Sequence, residues 1–273
     1  FRIALAAAAL LGVLLLSGRG LPGVSRARDR TFWAFAIAVG FLSNALPFSS
    51  LGWGQRHIDS GLAGVLMATV PLFVLPLSDA FVPGERLTLR RLAGFLLGFG
   101  GVLVLLGPAA LESLDDAGRG WITPLAIGAC LVTAFGYASG SVMARLAPDE
   151  YGRLRFGAAA LLAGAVISLP VAFAVEDPVE RAPSAEGLLA LVYLGIVPTA
   201  LATLMLLSVI ASAGPAFLAN VNYQVPLWAV GLGAALLGET PSPRLGIALV
   251  LILVGLAVAQ DLPGRRRERP AAE

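Results

Sequence analysis

Apolar residues in this chain run rather than alternate. Stretches long enough to cross about 30 Å of hydrocarbon as a helix fall at 1–18, 31–52, 60–82, 89–107, 121–145, 153–175, 186–210, 214–237 and 244–260, nine in all, joined by short loops. The pattern predicts an all-α integral membrane protein with about nine transmembrane helices. Polar residues inside such runs carry the functional information, because an amide or hydroxyl at bilayer depth has no water to bond and must face protein or a solvated cavity. The densest of these exceptions is Asn220-Val-Asn222-Tyr223-Gln224-Val-Pro226 in the eighth run.

Composition agrees with the pattern. Apolar residues make up 58% of the chain and charged residues 13%, with a mean hydropathy of +0.85, whereas charge alone is about a quarter of an average soluble domain. The first run opens at Phe1 without a methionine, a basic n-region or a small-residue cleavage site. It does not read as a signal peptide, and the chain is expected to start inside a longer native one. A single cysteine, Cys130, rules out an internal disulfide and reads as ordinary packing. Runs such as Ala6-Ala7-Ala8-Ala9 and Gly157-Ala158-Ala159-Ala160 offer small faces for close helix contact in lipid.

Charge placement gives an orientation. All 19 basic residues are arginine, and 14 of them sit in alternate loops: Arg19 to Arg30, Arg86 to Arg91, Arg145 to Arg155, and the tail Arg265 to Arg269. The positive-inside bias makes those loops cytoplasmic. The acid-rich segments around Glu112–Asp116 and Glu176–Glu180 fall on the other side. Nine spans with the tail inside put Phe1 outside. The formal charge of +2 is therefore a topology signal, and no nucleic-acid partner follows from it.

The two halves repeat. Pro71, Gly84-Glu85 and Gly101 are matched by Pro226, Gly238-Glu239 and Gly255, with both final glycines 16 residues after their glutamates. Five crossings separate Glu85 from Glu239, so the two Gly-Glu turns lie on opposite sides of the membrane. Inverted repeats of this kind build transporters that alternate access around a site near the midplane.

On these two Pro-to-Gly-Glu-to-Gly patterns the sequence resembles the EamA-like family of the drug/metabolite transporter superfamily. The junction Trp53-Gly-Gln55-Arg56-His57-Ile-Asp59-Ser60-Gly61 entering the helix of Pro71 looks like that family's third-to-fourth helix link. The resemblance implies ten helices in two inverted five-helix halves, of which this chain carries the second helix to the tenth. It divides the chain into a first repeat at 1–107 lacking its first helix, an extracytoplasmic linker at 108–120, a second repeat at 121–261 and a basic cytoplasmic tail at 262–273.

Candidate substrate-binding residues follow from polarity and pseudo-symmetry. Asn222 and Gln224 offer both donors and acceptors, and Tyr223 lies beside them. Asn220, Tyr223 and Gln224 share one helical face while Asn222 points about 200° away from Asn220, so inter-helix hydrogen bonding is expected to claim at least one of the four. Thr69 precedes Pro71 by two residues just as Gln224 precedes Pro226. Asn44 and Tyr137 are polar mid-span residues of the kind that complete such a site. Pro71 and Pro226 are expected to interrupt their helices. Glu85 and Glu239 are each read as opening a helix, where a carboxylate meets the N-terminal dipole, as a cap or a gate. Asp79, near the end of a span, is expected to pair with Arg86, Arg90 or Arg91.

Enzyme chemistry is disfavoured. His57 is the single histidine, and Ser139-Gly140 resembles a membrane serine-protease nucleophile only loosely, with Tyr137 where that pattern wants glycine. No catalytic residues, metal ligands or cofactors are expected. The reading is a secondary transporter that exports a small polar or amphipathic metabolite or drug, in the plasma membrane of a GC-rich bacterium. The alternative is a lipid or amphiphile flippase, or a non-transporting membrane subunit. The partners are a small-molecule substrate and the bilayer. A homodimer stays open, because small-residue faces serve packing within and between chains equally well.

Overall fold

A computed structural model of the chain describes residues 1–58, 60–116, 121–175, 184–219, 221, 224 and 243–259. The elements are α1 (Arg2–Leu16), α2 (Ala27–Gly40), a π-turn (Phe41–Ala45), α3 (Leu46–Gly54), α4 (Ser60–Met67), α5 (Val70–Phe81), α6 (Leu89–Asp116), α7 (Ile122–Leu146), a short 3-10 turn (Asp149–Tyr151), α8 (Arg153–Val175), α9 (Ala185–Gly195), a second π-turn (Ile196–Leu201), α10 (Ala202–Ala213), α11 (Pro215–Ala219) and α12 (Pro243–Ala259). Among the described residues every regular element is helical, as backbone in a bilayer requires.

Five stretches are long and apolar enough to cross a membrane: Ala27–Gly54, Leu62–Phe81, Ile122–Leu146, Arg153–Ala174 and Ala185–Ala213. Shorter apolar helices follow at Arg2–Leu16 and Gly246–Ala259. Helix α6 continues to Asp116, beyond residue 107, where its apolar run ends. A helix satisfies its own backbone whatever its side chains, so hydropathy stops short of the helix end. The first nine residues of the expected linker are therefore helical.

Glu85 requires a correction. It does not open α6, which starts at Leu89, and lies instead in the loop before it. Thr88 is the residue that caps α6, accepting the Arg91 N–H at 3.2 Å on its hydroxyl. Asp79 accepts the Leu87 N–H at 2.9 Å, so this carboxylate pins the same loop.

Lipid provides no hydrophobic force between helices, so their association rests on close contact at small residues. At Gly94 of α6 an added Cβ would lie 2.5 Å from the Ala259 N and the Gly255 O of α12, and at Gly255 it would lie 2.6 Å from the Gly94 O. Gly40, the last residue of α2, meets the Ala160 O of α8 in the same way, at 2.4 Å. Gly195, the last residue of α9, meets the Leu5 Cβ of α1 at 2.9 Å. Each of these last two glycines immediately precedes a π-turn. Cys130 is fully buried in the apolar cluster shared by α4 to α7, α11 and α12; its packing beside Gly54 is what composition suggested.

On one face of the molecule the loop before α8 is tied to α2. Tyr151 donates a hydrogen bond to Asp29, and Arg28 pairs with Glu150 at 3.1 Å.

Candidate functional site: a half-polar cavity at a π-turn

A proline accompanies each π-turn: Pro198 inside the second, and Pro47 in the first turn of α3, just after the first. Pro47 has no N–H to give the Ser43 carbonyl four residues back, and Pro198 has none for the Leu194 carbonyl. Wide turns of this kind are concentrated at functional positions. In the second π-turn the Thr199 hydroxyl donates to the orphaned Leu194 carbonyl at 2.7 Å. Asn44 and Thr199 each stand fourth in their π-turns, and both are among the few buried polar residues described.

The first π-turn is held between two helices by their small residues. A Cβ at Gly140 of α7 would lie 2.0 Å from the Ser43 Oγ, and one at Gly164 of α8 would lie 3.0 Å from the Asn44 Cβ. Any larger residue at either glycine would displace the turn. One turn further along, Ser50 and Thr133 share a 2.7 Å hydrogen bond that ties α3 to α7.

This clasp sets Ser43 and Asn44 on the wall of a cavity of about 280 Å³. Tyr137 and Ser141, one turn apart on α7, and Thr203 of α10 complete its polar lining. The rest is apolar, with Val39, Val70, Val74, Leu207, Ile210 and Leu218 the larger contributors. No charged side chain is among the described residues that line it. Such walls suit a small solute with an apolar body and a few polar groups, the usual make-up of small-molecule sites.

A model of the EamA-like transporter family matches residues 1–107 and 124–259. The chain belongs to that family. It is 29% identical over 266 residues to a protein of Streptantibioticus cattleyicolor named "Probable terminal-alkyne amino-acid exporter", covering 93% of this chain and 85% of that one. It is 28% identical over 250 residues to the "Uncharacterized inner membrane transporter YedA" of Escherichia coli, covering 91% and 76%. A protein of known crystal structure superposes with a TM-score of 0.73 at 26% identity, over 94% of this chain and 84% of that one. The chain is thus a multi-pass membrane transporter, and its cavity is read as that of an EamA-like protein.

Of the residues singled out from sequence, Asn44 and Tyr137 come together at this cavity. Thr69 caps the break between α4 and α5, its hydroxyl bonded to the Leu66 carbonyl at 2.6 Å, and its neighbour Val70 reaches the wall. Pro71 occupies the first turn of α5, two residues past that break. Gln224 is helical and half-buried, and of the two described residues between 220 and 226, Val221 lines the cavity. Asn220, Asn222, Tyr223, Pro226 and Glu239 lie outside the described residues. Ser141 and Thr203 were not singled out; the spacing of Ser141 one turn after Tyr137 was the available signal.

Proposed function

We propose that this EamA-like protein is a secondary transporter that exports a small amphipathic metabolite by alternating access around the cavity of Asn44 and Tyr137. The carrying observation is a polar patch at a π-turn within the continuous helical stretch of residues 27–54, facing mostly aliphatic walls and clasped by glycines of α7 and α8. A π-turn inside protein, a feature concentrated at functional positions, can present polar side chains such as Asn44 to a solute without exposing them to lipid. One relative's name includes amino-acid export, which fits a solute of this size and polarity.

Two inverted repeats, at 1–107 and 121–261 with a linker at 108–120, form the moving halves in this reading. The matched π-turns, and the matched glycines Gly40 and Gly195 packing on α8 and α1, support it. In this reading the chain has nine spans in a bacterial plasma membrane, with the arginine-rich loops and the tail at 262–273 cytoplasmic, an orientation the charge bias supports.

The test compares solutes released by cells expressing the full-length chain, an Asn44→Ala/Tyr137→Phe variant and an Asn222→Ala/Gln224→Ala variant. Efflux of one solute class that is lost in the first variant supports the reading. Identical profiles from equal amounts of inserted protein oppose it.

A further inference from the structure

The turn that joins α10 to α11, Ala211 to Gly214, stands at one end of the central cavity. Ile210 just before it and Pro215 just after it both line that cavity. Ala211 lines a smaller cavity, of about 130 Å³, together with Arg145, Asp149 and Arg153. The two cavities share Ala144 and Leu207. Arg145, Asp149 and Arg153 are exposed, so the small cavity lies between the central one and solvent. It belongs to the face read as cytoplasmic from the arginine bias.

Two charged side chains meet this turn, and neither comes from α10 or α11. The Arg145 guanidinium, in the last turn of α7, donates to the Ala211 carbonyl. That carbonyl is among the last four of α10, which a helix leaves unpaired, and a cation there meets the negative end of the helix dipole. Glu85, in the loop after α5, packs its carboxylate so closely on Gly214 that a Cβ there would overlap Oε1. Its other oxygen, Oε2, is shut off from solvent and has no hydrogen-bond partner among the described residues. Gly214 has φ +87 and is followed by Pro215, which has no N–H to continue a helical ladder. The chain is therefore bent between two helices here, where a change at few torsions swings the turn aside.

We infer that the turn Ala211 to Gly214 is the cytoplasmic lid of the central cavity, that Arg145 is its latch, and that the small cavity outside it is the entry passage for the solute. In this structure the latch is fastened. Opening breaks the charge-assisted bond of Arg145, but it also brings Glu85 Oε2 to water, which offsets part of the loss. Two opposed effects keep the open and closed arrangements close enough in energy for a solute to shift them. The lid's part in transport rests on the proposed function; its covering of the cavity does not.

The experiment uses a full-length chain in which Cys130→Ala removes the cysteine of this sequence and Ser141→Cys puts a thiol on the cavity wall. Its reaction with membrane-impermeant methanethiosulfonates, one cationic and one anionic, is timed in inside-out and right-side-out vesicles. From the cytoplasmic face the parent should react slowly. Arg145→Ala, which unfastens the latch, and Gly214→Ala, whose Cβ forces the turn off Glu85, should each react about tenfold faster or more with both reagents, the scale of one hydrogen bond to a charged group. Arg145→Lys should stay nearer the parent, and Glu85→Gln, a neutral amide in place of the carboxylate, should fall below it. Arg19→Ala, at an exposed arginine of the same face, should match the parent. Unchanged rates in Arg145→Ala and Gly214→Ala overturn the inference, and so does an equal rise from both faces, which would mean a loosened fold. A rise with the cation and a fall with the anion would report lost charge alone and overturn the latch. A rise confined to the outer face would overturn the cytoplasmic assignment. Labelling needs neither solute nor gradient, so a protein that proves not to export still reports on the lid.

Discussion

The Glu85 carboxylate rests directly on Gly214: a Cβ at Gly214 would lie 1.9 Å from the Glu85 Oε1. Gly214 also has φ +87, a conformation that side-chain-bearing residues resist. The loop after α5 is thus joined to the turn between α10 and α11, which makes this a contact between the two halves of the chain. Arg145 donates to the Ala211 carbonyl in the last turn of α10, just before Gly214, so a carboxylate and a guanidinium converge near that turn from α5's end and α7's end.

Gly214→Ala is therefore expected to lower the thermal midpoint. Its backbone conformation, φ +87 and ψ 163, alone costs an alanine about 1–3 kcal/mol, and displacement of Glu85 adds to that. Glu85→Ala should remove the second part only, so Gly214→Ala should be less harmful in a Glu85→Ala background. Additive midpoints across the four proteins would mean that the two residues do not interact.

Thr199→Val should destabilise the protein by about 1–3 kcal/mol, because it leaves the Leu194 carbonyl without its donor at bilayer depth. Thr199→Ser, which keeps the hydroxyl, should stay close to the parent. Denaturant unfolding of both variants checks this, and equal stabilities would discount the hydroxyl.

Bulk at the crossing of α6 and α12 should also be costly. Gly94→Leu drives a side chain into the backbone of α12 and is expected to cost about 1–3 kcal/mol or more, seen as loss of folded monomer on size-exclusion chromatography. Gly12→Leu, at a glycine with open space around it, is the matched control and should elute like the parent.

At the cavity, Asn44→Ala should cut export at least about tenfold, the scale of one lost hydrogen bond to a solute group, while shifting the thermal midpoint little. A collapse of the midpoint together with transport would make Asn44 a packing residue.

The apolar runs made the helices and the membrane legible, because burial in lipid leaves few polar residues to interrupt them. Asn44 and Tyr137 were legible for the same reason. Ser141 and Thr203 were not, since a hydroxyl within a helix can bond its own backbone and so reads as neutral; Ser141 does donate to the Ala138 carbonyl. The π-turns were hidden because hydropathy averages over turns of any width, although Pro47 and Pro198 mark where they form. Glu85 looked like a helix opener because Gly84 precedes it, yet Thr88 held the capping hydroxyl and left the carboxylate to reach Gly214.

The most direct test of the central claim is efflux from proteoliposomes loaded with the solute class that cells release, comparing the full-length parent with Asn44→Ala and Tyr137→Phe. The account predicts saturable efflux by the parent and its loss in Asn44→Ala at equal reconstitution. Undiminished efflux by both variants would contradict it, and would place the transported solute somewhere other than this cavity.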